Sequence, residues 1–292
     1  MSSFLRAIVL IALLLPASGR AEEETGDAEL QAFLAGLTFR SGTVVVPEAH
    51  ATLALKPGYA YLDATDAQAV LEQLWGNPPD TDILGLILPQ GRDSLLDERS
   101  WAVAVTYSDD GHVSDAEAAT IDYAQMLTDM QAATREANPA RQENGYDAVE
   151  LTGWAESPRY DGASNKLYWA KDLVFGESPD HTLNYDIRTL GRHGYLSLNA
   201  IAPLDALPQV REGMQELLTM AEFDAGYRYA DYDAATDKAA AYGIGALVAG
   251  TLAAKTGLFA KIGLVLLKFW KLIALAVVAF GSALPKLFKR KH

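Results

Sequence analysis

The stretch AVELTGWAESPRYDGASNKLYWAKDLVFGESPDHTLNYDIRTLGRHGYLSLNAI, residues 148–201, decides the fold. It reads as four strands, 148–154, Lys166–Phe175, His181–Leu190 and 195–201, rich in β-branched and aromatic residues. The breaks between the last three are turn residues, Ser178-Pro179-Asp180 and Gly191-Arg192-His193-Gly194, and Asp161-Gly162 lies between the first two. Parallel neighbours need a crossover of about a dozen residues or more, so strands joined this tightly are antiparallel.

Upstream of that block, 101–107 alternates Trp101, Val103, Val105 and Tyr107 on one face, and 83–88 is a continuous apolar run. Thr43–Val46 and 52–55 flank Pro47-Glu48-Ala49-His50 and read as a hairpin. Helices are expected at 28–36 and at 65–75, the latter with Thr65 as N-cap and Gly76-Asn77-Pro78-Pro79 as the stop. Ser114 and Glu117 have capping-box spacing before a long helix, 115–137, closed by Asn138-Pro139. A last helix, 204–219, follows the fourth strand. Strands and helices in blocks rather than alternation give an α+β fold, an antiparallel sheet with flanking helices.

The ends of the 292-residue chain carry an address. Met1–Arg6 holds one basic charge, Ala7–Leu15 is a nine-residue apolar run, and Gly19 and Ala21 sit at the −3 and −1 positions of a cut after Ala21. That order predicts a secretory signal peptide, residues 1–21. Nine helical residues rise only about 14 Å, too little for a span. Residues 22–226 then form the exported domain, 227–241 a polar, Tyr-rich linker, 242–285 a hydrophobic membrane anchor, and 286–292 a basic cytoplasmic tail. The acids, 38 of them, all fall in 22–241 against 14 bases, whereas 242–292 carries seven Lys and one Arg. An anionic body with a cationic tail excludes nucleic acid as the expected partner. The expected partners are the lipid bilayer, an envelope protein and, through the anchor, a second copy of the chain.

Within the anchor, Gly245, Ala249, Ala253 and Gly257 recur every fourth residue, a small-residue ridge suited to close helix packing in lipid. Lys261, Lys268, Lys271, Lys286 and Lys289 fall within roughly 80° of one another on a helix, a basic stripe facing the membrane surface. Three arrangements fit. One is a span near 242–260 followed by a surface helix; another is a span near 262–284 with Lys268 and Lys271 snorkelling; the third is a two-span hairpin. The hairpin would export the basic tail, against the positive-inside tendency.

Catalytic signatures are sparse. The absence of cysteine excludes disulfides, thiolate metal sites and a cysteine nucleophile. His50, His112, His181, His193 and His292 form no metal-ligand spacing, and no cofactor motif is present. Asp109-Asp110-Gly111-His112 with Asp115 and Glu117 is the densest acidic cluster but lacks EF-hand spacing. Gly162-Ala163-Ser164-Asn165-Lys166 lacks the second glycine of a nucleophile elbow and precedes a strand. Gly250–Thr256 imitates part of a P-loop without the glycine before Lys255. Tyr160, Tyr168, Trp169, Tyr185 and Tyr195 either line a groove on the sheet or fill its core. Tyr227, Tyr229, Tyr232 and Tyr242 are linker residues or a membrane-interface belt.

Several motifs carry a resemblance. GTVVVPEAHATLALKPGYAYLDATDAQAVLEQLWGNPP, SWAVAVTYSDDGHVSD, GWAESPRYDGASNKLYWAKDLVFG, HTLNYDIRTLGRHGYLSLNAIAP and FDAGYRYADYDAATDKAAAYGIGALVAG are similar to DUF2167, a family of uncharacterised bacterial membrane-anchored proteins. The resemblance implies export and an anchor, with no reaction and no catalytic residues. A long helix, four antiparallel strands and a closing helix also look like the PsbP/Mog1-type α+β sandwich, an architecture that does not fix a function. The expected role is therefore a non-catalytic binding or scaffolding domain at the cell envelope, anchored in the cytoplasmic membrane with its main domain on the periplasmic or extracellular side. The alternatives are an envelope hydrolase with a site assembled from distant residues, and a membrane-assembly component acting through its anchor.

Overall fold

The computed structural model describes residues 28–77, 79–89, 91, 95–96 and 100–250. The expected signal peptide, the expected basic stripe, Ala253 and Gly257 lie outside those residues. The chain divides into a short N-terminal unit, residues 1–38, and a body from Phe39 onward. In the first unit, residues 28–36 form a helix, α1.

The body begins with β1 (Thr43–Val46) and β2 (Ala51–Ala54), paired antiparallel around a 3-10 turn, Pro47–Ala49. His50 closes that turn in the left-handed region at φ 49°. β3 (Tyr59–Asp63) leads directly into α2 (Ala64–Ala69), which continues as a π-helical turn, Val70–Leu74. The N-cap is Asp63, whose carboxylate accepts from the Asp66 N–H, and not Thr65. An aspartate at the last strand position, in extended conformation, offers the same oxygen and lets the strand run into the helix without a loop.

β4 (Ile83–Pro89), β5 (Ala102–Ser108) and the short β6 (His112–Ser114) come next. The long helix starts later than the capping-box spacing implies: α3 spans Tyr123–Glu143, capped by Asp122 through the N–H groups of Ala124 and Gln125. Ser114 ends β6 with its hydroxyl on the Ala116 N–H, and Glu117 accepts from Gly245 far along the chain. Pro139 lies inside α3 rather than ending it. A proline interrupts the bond to the carbonyl four residues back, here that of Arg135, an exposed residue. The Asn138 side-chain amide also bonds both backbone groups of Val149, tying that turn to the next strand.

β7 (Val149–Asp161), β8 (Lys166–Phe175), β9 (His181–Leu190) and β10 (Tyr195–Pro203) form the expected antiparallel meander, β7 running seven residues beyond its expected end and carrying bulges. α4 (Leu207–Leu218), β11 (Ala221–Phe223), β12 (Ala239–Gly243) and α5 (Ile244–Ala249) complete the body. The seven-stranded sheet has the order β3-β4-β5-β10-β9-β8-β7 and every pairing is antiparallel. The α+β expectation with an antiparallel sheet and flanking helices holds. β3, β6, β11 and β12 have no counterpart in the sequence pattern: β6 and β11 are three residues long, too short for alternation to register, and β3 and β12 run straight into α2 and α5 without a turn to mark their ends.

The two faces of this sheet are built differently. On one, Val103, Val105, Tyr185, Ile187, Leu196 and Leu198 point into the main core. That core is closed by the stripe Val210, Met214 and Leu217 of α4 and by a second sheet, β1-β2-β11, through Val44, Val46, Leu53 and Phe223. Each such side chain taken fully out of water contributes about 1.5–3 kcal/mol. The opposite face is apolar at its two ends. At one, Leu167, Trp169 and Leu190 meet Val113 and the α5 residues Ile244, Leu247 and Val248. At the other, Leu62 of β3 and Leu86 and Leu88 of β4 are buried on the side away from the main core. Its middle is polar.

Candidate functional site

The polar middle arises from strand alternation. In β9 the apolar residues Leu183, Tyr185 and Ile187 face the core, so Asn184, Asp186 and Arg188 face the other way. In β10 Ser197 and Asn199 do the same between Leu196, Leu198 and Ala200. The register sets Asn199 opposite Asp186 and Ser197 opposite Arg188, and Lys171 of β8 opposite Asn184. Polar side chains from three neighbouring strands therefore converge.

Asp186 is the centre, with 2% of its surface exposed. Its Oδ1 accepts from the Asn199 amide at 2.9 Å and pairs with the Arg188 guanidinium at 3.0 Å. The Lys171 ammonium lies 3.1 Å from Oδ2, in ion-pair range but off hydrogen-bond alignment. Burial pushes the Asp186 carboxyl up; the Lys171 and Arg188 charges outweigh it and hold the group below its ordinary value, ionised. Arg188 is itself fixed by Ser197, whose hydroxyl accepts from it, by the Ile187 carbonyl, and by the faces of Trp169 at 5.2 Å and Tyr195 at 5.8 Å. Asn184 and Asn199 exchange amide hydrogen bonds at 2.9 and 3.1 Å.

This cluster floors a cleft of about 530 Å³. Thr106 and Ala104 of β5 extend the floor, Ile83 and Ile201 give it an apolar edge, and Gln68, Leu71 and Glu72 wall one side from the α2 region. Asn77, Pro79 and Asp80 complete the rim. Such a volume is that of a small-molecule site. Among its described residues no nucleophile is paired with a base: the Ser197 hydroxyl accepts from Arg188, and Asp186 is committed to two cations. Among the described residues no three His, Asp or Glu side chains are placed to share a metal ion.

The residues singled out from the sequence go elsewhere. The acidic cluster fastens the C-terminal part of the body: Asp115 accepts from the Tyr160 hydroxyl at 2.7 Å, Asp110 from Tyr242, and Glu117 from the Gly245 N–H at 3.0 Å. Residues 227–243, most of them expected to be a linker, are seated on the body. His112 is sandwiched between Tyr229 and Tyr232, with ring centroids 4.3 and 3.8 Å away, and burial lowers its pKa. Arg192 makes a two-point ion pair with Asp237, at 2.7 and 2.9 Å. Tyrosine and aspartate at these spacings resemble a polar linker in sequence; only the partners, over a hundred residues distant for Tyr229 and Tyr242, reveal the docking.

The fold also brings His50 and His193 together around Tyr227. His50 stacks on its ring at 3.9 Å and His193 meets it edge-on at 5.7 Å. With Tyr107, Asp109 and Lys238 they line a second cavity of about 440 Å³. Burial, with Asp109 and Tyr227 nearby, pushes the Tyr107 hydroxyl up to about 12, so it stays neutral. The loops meet here closely: a Cβ on Gly194 would collide with the Ser108 carbonyl oxygen. This cavity is a seam within the body, between the loops that carry His50, Asp109 and His193 and the segment that carries Tyr227 and Lys238.

The aromatic residues of the strands divide between the two faces. Tyr168 and Tyr185 belong to the main core, whereas Tyr160, Trp169 and Tyr195 belong to the smaller cluster. Gly245 sits in α5 against Glu117 and Ile121, and α5 ends at Ala249, with Gly250 in the left-handed region at φ 85°. The other two residues of the expected ridge, Ala253 and Gly257, lie outside the described residues. Among the described residues no helix is long and apolar enough to cross a membrane.

Residues 38–281 match the family model described as protein of unknown function, DUF2167. The chain belongs to the DUF2167 family. Curated proteins give no match. Solved structures are weakly similar in fold. Cyanobacterial PsbP (CyanoP) from Synechocystis is 12% identical, covering 64% of this chain and 92% of its own, with a TM-score of 0.35. The Ran-binding protein Mog1p of Saccharomyces cerevisiae is 10% identical, covering 64% and 96%, with a TM-score of 0.34. The family description assigns no site. The cleft residues had one signal in the sequence, the run Asn184-x-Asp186-x-Arg188 followed by Ser197-x-Asn199, which reads as a solvated strand face until the strands are known to be central.

Proposed function

We propose that this protein is an exported domain, tethered to the cytoplasmic membrane by its C-terminal segment, that binds a small polar ligand in the sheet cleft without transforming it. The observation that carries the reading is the ionised, buried Asp186 held between Lys171 and Arg188 on the floor of an open cleft. Taking charges out of water is costly, and apolar side chains of similar size would serve folding at least as well. Charges kept in such a place are accounted for by a ligand. Binding without catalysis is supported by the engagement of the floor groups with one another, the Ser197 hydroxyl accepting from Arg188 and Asp186 held by two cations.

The tether rests on the signal-like start and on the apolar, lysine-punctuated run to Leu284. Residues 239–249 belong to the folded body, which favours the arrangement whose span lies near 262–284, with the Lys/Arg tail inside. A reporter fused after His292 should then be active in the cytoplasm; activity confined to the periplasm would overturn the orientation.

Binding is tested by photo-crosslinking the full chain in cells. A photoreactive residue replacing Gln68, on the cleft wall, should yield a defined adduct that the same residue at Val45, 57% exposed on the small sheet, does not. Equal labelling at both positions, or none at Gln68, would contradict the reading.

A further inference from the structure

The cleft holds two cations and one anion in its floor, and that imbalance says what kind of ligand it takes. Among the described residues neither Lys171 nor Arg188 is within ion-pair distance of rim residues Glu72 or Asp80; their one carboxylate partner is Asp186. One positive charge on the floor therefore has no second carboxylate in ion-pair contact, Glu72 and Asp80 standing on the wall and rim of the same cleft, in a body where acids outnumber bases 38 to 14 over residues 22–241. The two cations are not equally free. Arg188 is occupied by Asp186, Ser197 and the Ile187 carbonyl, with both Trp169 and Tyr195 against it. Lys171 has three N–H donors and, among the described residues, a single partner; it keeps 24% of its side chain exposed and lines the cleft.

Resting on the reading of the cleft as the ligand site, we infer that its ligand is a small monocarboxylate seated against Lys171. One negative charge neutralises the floor. A phosphate dianion would add two beside the Asp186 carboxylate, at a like-charge cost that a buried site magnifies. Ile83, Leu71 and Ile201 give the ligand's body an apolar wall, and the Asn184 amide gives it a donor and an acceptor. An ammonium as a point charge suits this role; the fork geometry of Arg188 is spent within the protein.

The test is thermal unfolding of the full chain in detergent with three probes: butyrate, its neutral amide butyramide, and inorganic phosphate. At ten times its dissociation constant butyrate should raise the midpoint by about 3–6 °C. Butyramide and phosphate should not. Lys171→Met should abolish the butyrate response. Ile201→Trp, which fills the cleft from its rim without touching a charge, should abolish it too and keeps the test decisive should Lys171→Met fail to fold. The inference is overturned if butyramide stabilises as well as butyrate, if phosphate stabilises more, if either variant responds like the wild type, or if butyrate has no effect up to about 50 mM. An adduct at Gln68 with no carboxylate response would leave the cleft as the site and remove only the ligand class.

Discussion

The two faces of β9 and β10 share a backbone and a register, yet they do opposite things. Residues Leu183, Tyr185, Ile187, Leu196 and Leu198 are at most 2% exposed, in the core shared with α4 and the small sheet. One residue along in each case, Asp186 and Ser197 are buried and Asn184, Arg188 and Asn199 half-buried, against one another and an open cleft. The first face holds the sheet together by removing apolar surface from water. The second gives up that stabilisation and keeps charge near solvent. Alternation with period two lets one strand carry both roles, and a shift of register by one residue would exchange them.

The comparison can be broken or sharpened by substitution. The largest effect is expected from Asp186→Ala, which leaves the Lys171 and Arg188 charges facing each other without their counter-ion, at about 3–5 kcal/mol of unfolding free energy by denaturant titration. On the apolar face Leu198→Ala should cost about 3 kcal/mol, the lost transfer energy plus a cavity the fixed strands do not fill. Equal costs for Leu198→Ala and for the exposed-edge change Ile201→Ala, expected below about 1 kcal/mol, would erase the distinction between the faces.

The smallest effect is a pH slope. The folded pKa of Asp186 is depressed below 3.8, so its stabilisation is fully present above that value and is lost as pH falls through the folded value. Between about pH 5 and the acid limit of folding, the wild type should lose stability faster than Asp186→Asn; parallel curves would show that the carboxylate is not preferentially ionised in the native state.

The meander from β7 to β10 was legible because its strands are long, apolar on alternate residues and separated by glycine- and proline-bearing turns. The start of α3 was not. Ser114 and Glu117 satisfy the capping spacing, but β12 competes for the same backbone, pairing in parallel with His112–Ser114 and drawing Glu117 onto Gly245. That competition involves residues some 130 positions apart and leaves no local trace. The cleft was hidden for a related reason. Polar residues on alternate strand positions look like a solvated face, and only the strand order, which puts β9 and β10 in the middle of the sheet, turns them into a buried cluster. Helix 204–219 had no such rival and appears as expected, as a 3-10 turn followed by α4.

The central claim is that the polar face is kept for a ligand rather than for folding, and one triple replacement tests it most directly. Lys171→Met, Asp186→Leu and Arg188→Met together remove the charges while keeping their approximate volume. The account predicts an unfolding midpoint equal to the wild type or higher, since apolar groups replace a desolvated ion cluster, together with loss of the Gln68 crosslinked adduct. A triple variant that unfolds several kcal/mol more easily, or that still forms the adduct, would contradict it.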